Sequence, residues 1–157
     1  ASSSDIVVFF DDDFAPSDNF LERTEAVFAA YPDIVGLTGA MAGDGVKGPG
    51  FTFEDARALL NAHTLDPPDA DALGPVSSLY GCNMAIRLSA AAGLTFDETL
   101  PLYAWQEDVD YTVQLARRGR LVRCTSIAGV HLGVKRARTP GQRMGYMQTA
   151  NPIYLLG

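Results

Sequence analysis

The chain has 157 residues, 47% of them hydrophobic and 20% charged, as is typical of one globular domain with a substantial core, spanning residues 1–157. Lys and Arg number 12 against 19 for Asp and Glu, a net charge of -7. This charge argues against a nucleic-acid partner, because non-specific binding to nucleic acid needs a basic surface. No stretch approaches the roughly 20 apolar residues of a membrane-spanning helix.

The first predicted element is a strand, Ile6–Phe10, which runs directly into three aspartates. Its five large apolar residues predict burial on both faces, as inside a parallel sheet, where ligands bind beyond the carboxyl ends of the strands. Side chains alternate along an extended chain, so Asp11 and Asp13 project to one side and Asp12 to the other. Two close carboxylates suit a hard divalent cation, Mg²⁺ or Mn²⁺. The alternative is an acidic turn in which Asp12 or Asp13 caps the next element.

The region up to residue 63 predicts a helix, a strand and a second helix. The first helix should begin at Pro16-Ser17-Asp18, with Ser17 or Asp18 as its cap. A strand over Ile34–Met41 then makes a βαβ order. The glycine-rich stretch 42–50 favours a mobile loop, and the segment Thr52–Ala62 favours a helix capped by Thr52.

The second half of the chain predicts two more strands around a helix. The segment Val76–Arg87 indicates a strand interrupted at Gly81, which favours a bulge or the close approach of a ligand. The helix should begin near Glu107 and end just before Gly119, with Arg117 and Arg118 in its last turn. A last strand over Leu121–Thr125, followed by apolar residues, leads to His131.

Acidic and basic residues in this half have ordinary structural explanations as well. Glu107 and Asp108 lie in the first turn of a predicted helix, where acids are common for stability alone. The turn Asp66–Asp69 should be stiff. The basic stretch Lys135–Arg143 is either a solvated surface or a contact with phosphate or an anionic membrane surface. Two cysteines, without the spacing of a metal site, indicate free thiols in a reducing compartment.

Taken together and in order, the motifs resemble the family 2 inverting glycosyltransferases of GT-A fold, from about Asp5 to His131. The aspartate triad is similar to the family's DxD motif. The segment Tyr80–Arg87 is similar to its G-x-N-x-x-x-R segment, and Trp105–Asp110 to its ED motif. The resemblance implies an α/β fold, a Rossmann-like mixed sheet flanked by helices, that lacks the N-terminal nucleotide-binding strands. We therefore expect a fragment of a longer transferase domain, the half that holds the metal and the acceptor.

The resemblance also implies roles for individual residues. Asp13 would bind Mg²⁺ or Mn²⁺ on the diphosphate of a nucleotide-sugar donor, and Asp11 would reach the ribose or bind the metal or its waters. Asp12 would complete the cofactor-binding triad. His131 would be a further metal ligand. Asp108 would be the general base toward a saccharide or lipid-linked acceptor hydroxyl, and Glu107 would orient that acceptor. The substrate contacts would come from three other residues: Trp105, Asn83 and Gly81.

The same resemblance leads to expectations about location and assembly. We expect a cytoplasmic protein, peripheral to the membrane, that acts in the synthesis of cell-envelope polysaccharide. Without the preceding strands, an exposed sheet edge would favour a homo-oligomer.

Two other functions fit parts of the pattern. A phosphohydrolase of the haloacid-dehalogenase type also places Asp-x-Asp after an apolar strand, with Asp11 as nucleophile and Asp13 as acid. Its later acids should follow another apolar strand, with a lysine before them. Here the residues before Glu107 are only weakly strand-like, and Lys47 is the only lysine between the two acidic motifs. The other alternative is a non-catalytic sugar- or metal-binding module.

Overall fold

The computed structural model describes residues 4–63, 72–134 and 140–156, and these form a six-stranded sheet flanked by helices. The α/β class and the mixed sheet are thereby confirmed. The elements in chain order are β1 (Ile6–Phe10), β2 (Phe14–Pro16), α1 (Phe20–Ala30), β3 (Ile34–Asp44), α2 (Phe53–Ala62), β4 (Leu73–Pro75), β5 (Asn83–Arg87), α3 (Leu88–Ala91), α4 (Glu107–Ala116), β6 (Arg120–His131) and α5 (Gly141–Leu156).

The sheet has the strand order β1-β5-β3-β6-β2, and β4 also pairs with β6. Among the described strands, β3 and β6 pair in parallel and the other pairs are antiparallel. The edge of β6 away from β3 is shared by two short strands. β4 pairs with Val122–Cys124 and β2 with Gly129–His131. Among the described residues, none of the helices combines the length and the apolar character needed to cross a bilayer.

The expectation of a parallel setting for β1 is wrong. Within the described part of the chain its strand partner is β5, which runs antiparallel to it. β1 ends the strand order, with Ile6–Phe9 partly buried and Phe10 exposed. The apolar run nevertheless has core on both faces. Ile6 and Val8 pack against one hydrophobic cluster, and Val7 and Phe9 against another. The apolar residues on both faces therefore correctly predicted that the strand is covered on both sides. They gave no information about the direction of the neighbouring strand.

The predicted βαβ order is present, but β5 lies between its two strands in the sheet. β1 and β3 both run antiparallel to β5, which lies between them, so they share one direction and α1 connects them. α1 begins later than predicted, with Asn19 as its N-cap. The reason is β2, a strand that sequence analysis missed. Residues 14–16 pair with β6, and the backbone N–H of Ser17 still donates to the carbonyl of Ala128 at 2.9 Å.

The strand predicted over Val76–Arg87 is much shorter, and only Asn83–Arg87 forms β5. Asn83 is fully buried, and its amide group bonds to the Thr38 hydroxyl and, at 3.5 Å, to the Gly39 carbonyl, which joins β5 to β3. At the other end of β5 the Arg87 guanidinium donates to three backbone carbonyls of the α1 end and the following turn, those of Phe28, Tyr31 and Ile34. β5 is therefore held to its neighbours by side chains as well as by the ladder.

The other predicted elements are recovered with changed bounds. α2 is capped as expected: the Thr52 hydroxyl and the Asp55 carboxylate form a reciprocal capping box. α4 begins at Glu107. The predicted loop 42–50 starts later, because β3 continues through Asp44. The turn predicted at residues 66–69 and most of the basic stretch, residues 135–139, lie outside the described residues.

Candidate functional site

A group of two carboxylates and one imidazole lies where β1 and β6 end. The ligand atoms of Asp11, Asp13 and His131 lie within 4.8 Å of one another. His131 Nε2 is 3.1 Å from Asp13 Oδ1 and 3.8 Å from Asp11 Oδ2. Two ligand atoms about 2.1 Å from one ion lie at most about 4.2 Å apart, so the two distances from His131 Nε2 suit a shared cation. We call these three residues the metal group.

The pairing of β2 with β6 brings the metal group together. Phe14 is paired with His131, so Asp13, one residue earlier, lies beside the imidazole. The backbone N–H of Leu132 donates to the Asp13 carbonyl at 2.8 Å, and that of Val134 donates to Asp13 Oδ2 at 2.8 Å. Asp13 is thereby fixed with Oδ1 toward His131. Asp12, between the two ligands, is exposed and is not in the group. Residues 11–14 form a turn, in which the N–H of Phe14 donates to the Asp11 carbonyl at 3.1 Å, and not the extended chain from which the alternation was predicted.

The donor set fits Mn²⁺ or Mg²⁺. Carboxylate oxygens suit both ions, and the imidazole nitrogen is a donor that transition metals such as Mn²⁺ accept more readily than Mg²⁺ does. Three protein ligands leave further positions for water and for phosphate oxygens. A structural alternative exists, because a protonated His131 would form an ion pair with Asp13 at the same 3.1 Å.

Burial and like charge place Asp11 under electrostatic strain. Burial raises the pKa of the Asp11 carboxyl; His131 acts in the opposite direction, and the charges of Asp13, Asp12 and Asp108 raise the pKa further. A divalent cation would relieve this repulsion, since an opposite charge favours the ionised carboxylate. The effect of Asp108 on this pKa also shows that the two carboxyl groups lie near enough to interact.

The acid pair, Glu107 and Asp108, lies in the first turn of α4, and Asp108 is anchored there. Asp108 Oδ2 accepts the backbone N–H of Gly81 at 2.9 Å, and Oδ1 accepts that of Val109 at 2.8 Å. Glu107 is more exposed. Burial, followed by the charges of Asp108 and Asp11, raises the pKa of the Glu107 carboxyl. The acid pair therefore shares an electrostatic environment with the metal group.

The dipeptide Tyr80-Gly81 joins the metal group to the acid pair. The Tyr80 hydroxyl lies 3.3 Å from His131 Nδ1, and the next residue donates its N–H to Asp108. A Cβ added at Gly81 would meet Asp108 Oδ2 at 3.0 Å, so the close approach at this glycine is to a protein carboxylate. The strand ends, the acid pair and the late histidine thus converge on one region of the molecule.

The segment before α4 is strained. Three non-glycine residues, Leu102, Ala104 and Gln106, have φ angles of 59°, 53° and 74°, in the left-handed region. Residues held there cost about 1–3 kcal/mol each and persist where their surroundings hold them. The buried Asn151 of α5 donates from Nδ2 to the Trp105 carbonyl at 2.9 Å. Trp105 is partly buried beside the acid pair, in a backbone that α5 holds in place.

One predicted substrate contact takes a different role. Asn83 has no exposed surface, and its amide contacts Thr38 and Gly39, so its side chain has a structural role in joining β3 and β5. The hydrogen bonds to Thr38 and Gly39 give a structural reason for an asparagine at this position of the Tyr80–Arg87 segment. Gly81 contributes its backbone N–H to Asp108 and no side chain.

Sequence analysis missed two residues of the region, Asp44 and Tyr80. Asp44 Oδ1 lies 3.5 Å from His131 Nδ1, and the Tyr80 hydroxyl donates to Asp44 Oδ2 at 3.3 Å. Burial raises the pKa of the Tyr80 phenol, which therefore stays protonated and able to donate. Asp44 is an acid at the end of a strand, the signal that identified Asp11 and Asp13. It was missed because the predicted strand ended three residues too early.

No protein-family model and no curated protein matches this chain.

Proposed function

We propose that the chain is the metal- and acceptor-binding part of an inverting glycosyltransferase, which moves a sugar from a nucleotide-sugar donor to an acceptor hydroxyl with Mg²⁺ or Mn²⁺. The observation that carries the proposal is the convergence of the metal group with the acid pair through Tyr80-Gly81. Either group alone has an ordinary structural explanation. Their juxtaposition supplies an anion-binding centre and a base within one region, which single displacement at an anomeric carbon requires.

The metal group would hold the donor. Asp11, Asp13 and His131 supply two carboxylate oxygens and one nitrogen, and the diphosphate oxygens complete the coordination. The bound cation supplies Lewis-acid stabilisation of the departing nucleoside diphosphate, worth several kcal/mol. The backbone contacts of Asp13 keep its carboxylate in place before the donor arrives.

The acid pair would serve the acceptor. Asp108 takes the proton of the attacking hydroxyl as its oxygen bonds to the anomeric carbon and the bond from that carbon to the diphosphate breaks. General base catalysis of this kind contributes about 10²- to 10⁴-fold. The amides of Gly81 and Val109 hold the Asp108 carboxylate in one orientation, which is what a base needs toward a bound hydroxyl. Glu107 and Trp105, on either side of Gln106, would orient the acceptor sugar.

The test is Mn²⁺-dependent transfer or hydrolysis with a panel of nucleotide sugars, made with the longer transferase of which the chain would be part. We expect Asp13→Ala to abolish the dependence on metal. Asp108→Asn should lower turnover by about 10²- to 10⁴-fold and still bind Mn²⁺. Asp110→Asn is the matched control, because Asp110 lies in the same helical turn and contacts Gln114 of its own helix. An Asp108→Asn protein as active as the Asp110→Asn control would refute the assignment of the base.

The alternatives give different results in the same panel. A haloacid-dehalogenase-type enzyme would hydrolyse a simple phosphate ester without any sugar and would depend on Asp11 as nucleophile. A binding module would bind Mn²⁺ or a nucleotide sugar without turnover under any condition. The transferase requires both the metal and the sugar nucleotide.

The partners follow from the same proposal. The acceptor would be a saccharide or a lipid-linked saccharide, in a cytoplasmic setting at the membrane surface. β1 ends the strand order, and its outer edge would let a second copy extend the sheet. Light scattering after size exclusion tests this: a dimer that Ile6→Pro converts to a monomer is expected, and a monomeric parent protein would refute it.

A further inference from the structure

The imidazole of His131 is held from both sides. Its Nε2 faces the carboxylates of Asp13 and Asp11, at 3.1 and 3.8 Å. Its Nδ1 faces the Tyr80 hydroxyl at 3.3 Å and Asp44 Oδ1 at 3.5 Å. The residue is only 8% exposed, so protein covers most of the ring.

Asp44 and Tyr80 are themselves fixed. Asp44 Oδ1 accepts the backbone N–H of Val46 at 3.0 Å, a local turn that orients the carboxylate at the end of β3. Asp44 Oδ2 accepts the Tyr80 hydroxyl at 3.3 Å. The phenolic hydrogen is therefore used toward Asp44, and the oxygen of Tyr80 has only lone pairs to offer to His131.

This arrangement allows one placement of the imidazole hydrogen when Nε2 is a metal ligand. Nδ1 faces a carboxylate oxygen and a phenolic oxygen, both of them acceptors, so Nδ1 carries the hydrogen. Metal-binding histidines commonly donate their second ring N–H to a carboxylate or carbonyl, which fixes the tautomer and the ring orientation.

We propose that Asp44 and Tyr80 are positioning residues for the metal: they receive the Nδ1–H of His131 and thereby aim its Nε2 lone pair between Asp11 and Asp13. The inference rests on the metal group of the proposed function and adds two residues to it. Neither residue touches the cation in this arrangement; both act through the imidazole.

The test measures metal binding and not catalysis. Free Mn²⁺ is followed by electron paramagnetic resonance during titration of the wild type, Tyr80→Phe, Asp44→Asn and Asp12→Asn. Loss of such outer partners typically weakens metal affinity about 10- to 100-fold. We expect losses in this range for Asp44→Asn and near its lower end for Tyr80→Phe, which changes no charge.

Asp12→Asn is the control for charge. It removes one carboxylate from the same acidic turn, but Asp12 is exposed and outside the metal group. A screened charge of this kind should change the affinity by no more than about threefold. Thermal melting of each variant checks that it is folded, which is expected since Asp44 is exposed and Tyr80 is 37% exposed.

A second readout reports the tautomer directly. The chain has two histidines, so a His63→Gln background leaves His131 as the one imidazole signal in long-range ¹H–¹⁵N spectra. In the Mg²⁺-saturated protein we expect the hydrogen on Nδ1. A hydrogen on Nε2, or Mn²⁺ affinities of Tyr80→Phe and Asp44→Asn within threefold of wild type, would overturn the positioning role alone. A wild type that binds no Mn²⁺ would overturn the metal group as well.

Discussion

Replacing Gly81 with alanine should displace the Asp108 carboxylate while leaving the fold intact. The added Cβ would lie 3.0, 3.3 and 3.4 Å from Oδ2, Cβ and Cγ of Asp108. To relax the shortest contact to 3.4 Å, the carboxylate must move by about 0.4 Å. A misplacement of 1 Å can cost about 10²-fold in rate, so 0.4 Å corresponds to roughly sixfold.

The expected change in stability is small by comparison. Overpacking costs about 1–3 kcal/mol, and the loss of glycine entropy in the unfolded chain returns about 0.4–1 kcal/mol. Gly81 does not have a positive φ, so alanine adds no backbone strain there. The net destabilisation should therefore stay below about 2.6 kcal/mol, measured by urea unfolding.

The assay compares transfer rates of the wild type, Gly81→Ala and Gly74→Ala at saturating Mn²⁺. Gly74 is the matched control, because nothing lies within 4 Å of a Cβ built there and its φ is not positive. We expect a wild-type rate for Gly74→Ala and a roughly sixfold lower rate for Gly81→Ala, with unchanged Mn²⁺ affinity. A Gly81→Ala protein that is folded and transfers at the wild-type rate would refute the argument that Asp108 must stay where the Gly81 amide holds it.

Three further predictions concern stability. Asp11→Asn should stabilise the metal-free protein at pH 7, because burial raises the pKa of Asp11 in the folded state and its charge therefore destabilises the fold above that pKa. Below about pH 3.8 the carboxyl is protonated in both states and the substitution should have no effect. Melting temperatures in EDTA that rise equally at pH 3 and pH 7 would contradict this. Arg87→Ala should cost about 2–4 kcal/mol in urea unfolding, because it removes the hydrogen bonds of a charged group to three carbonyls, and a cost under 0.5 kcal/mol would show that water replaces them. Thr52→Ala should lower the free energy of unfolding by about 1 kcal/mol, measured in the same way, because it removes the capping box with Asp55. An unchanged midpoint would show that water replaces the hydrogen bonds of the cap.

The candidate site concentrates features that oppose folding. Four carboxylates, Asp11, Asp13, Glu107 and Asp108, lie near one another, and burial and like charge raise the pKa of Asp11 and Glu107. The segment before α4 adds three residues in the left-handed region. Hydrogen bonds from Asn151 and Gly81 hold these features in place. Such opposition is common where a site is pre-organised for a ligand, and a cation would remove part of it.

Local patterns in the sequence were sufficient for the elements that depend on neighbours along the chain. The capping box of α2 needs only Thr52 and Asp55, three residues apart, and the start of α4 at Glu107 follows from helical spacing and the stop at Gly119. The separation of Asp12 from Asp11 and Asp13 was predicted from an extended chain, whereas the structure reaches it through a turn over residues 11–14. The sequence by itself therefore determined the class of the fold and most of its helices, and together with the family resemblance it predicted the three residues of the metal group.

Tertiary structure alone decided the direction of β1, the existence of β2 and the partners of His131. A three-residue strand such as β2 has too few side chains to show a pattern and exists because β6 offers it an edge. The partners Asp44 and Tyr80 lie 87 and 51 positions before His131, and nothing local relates them. Strand pairing is settled by which edges meet when the whole core is buried. This long-range outcome brought residues from three other parts of the chain to the imidazole of His131.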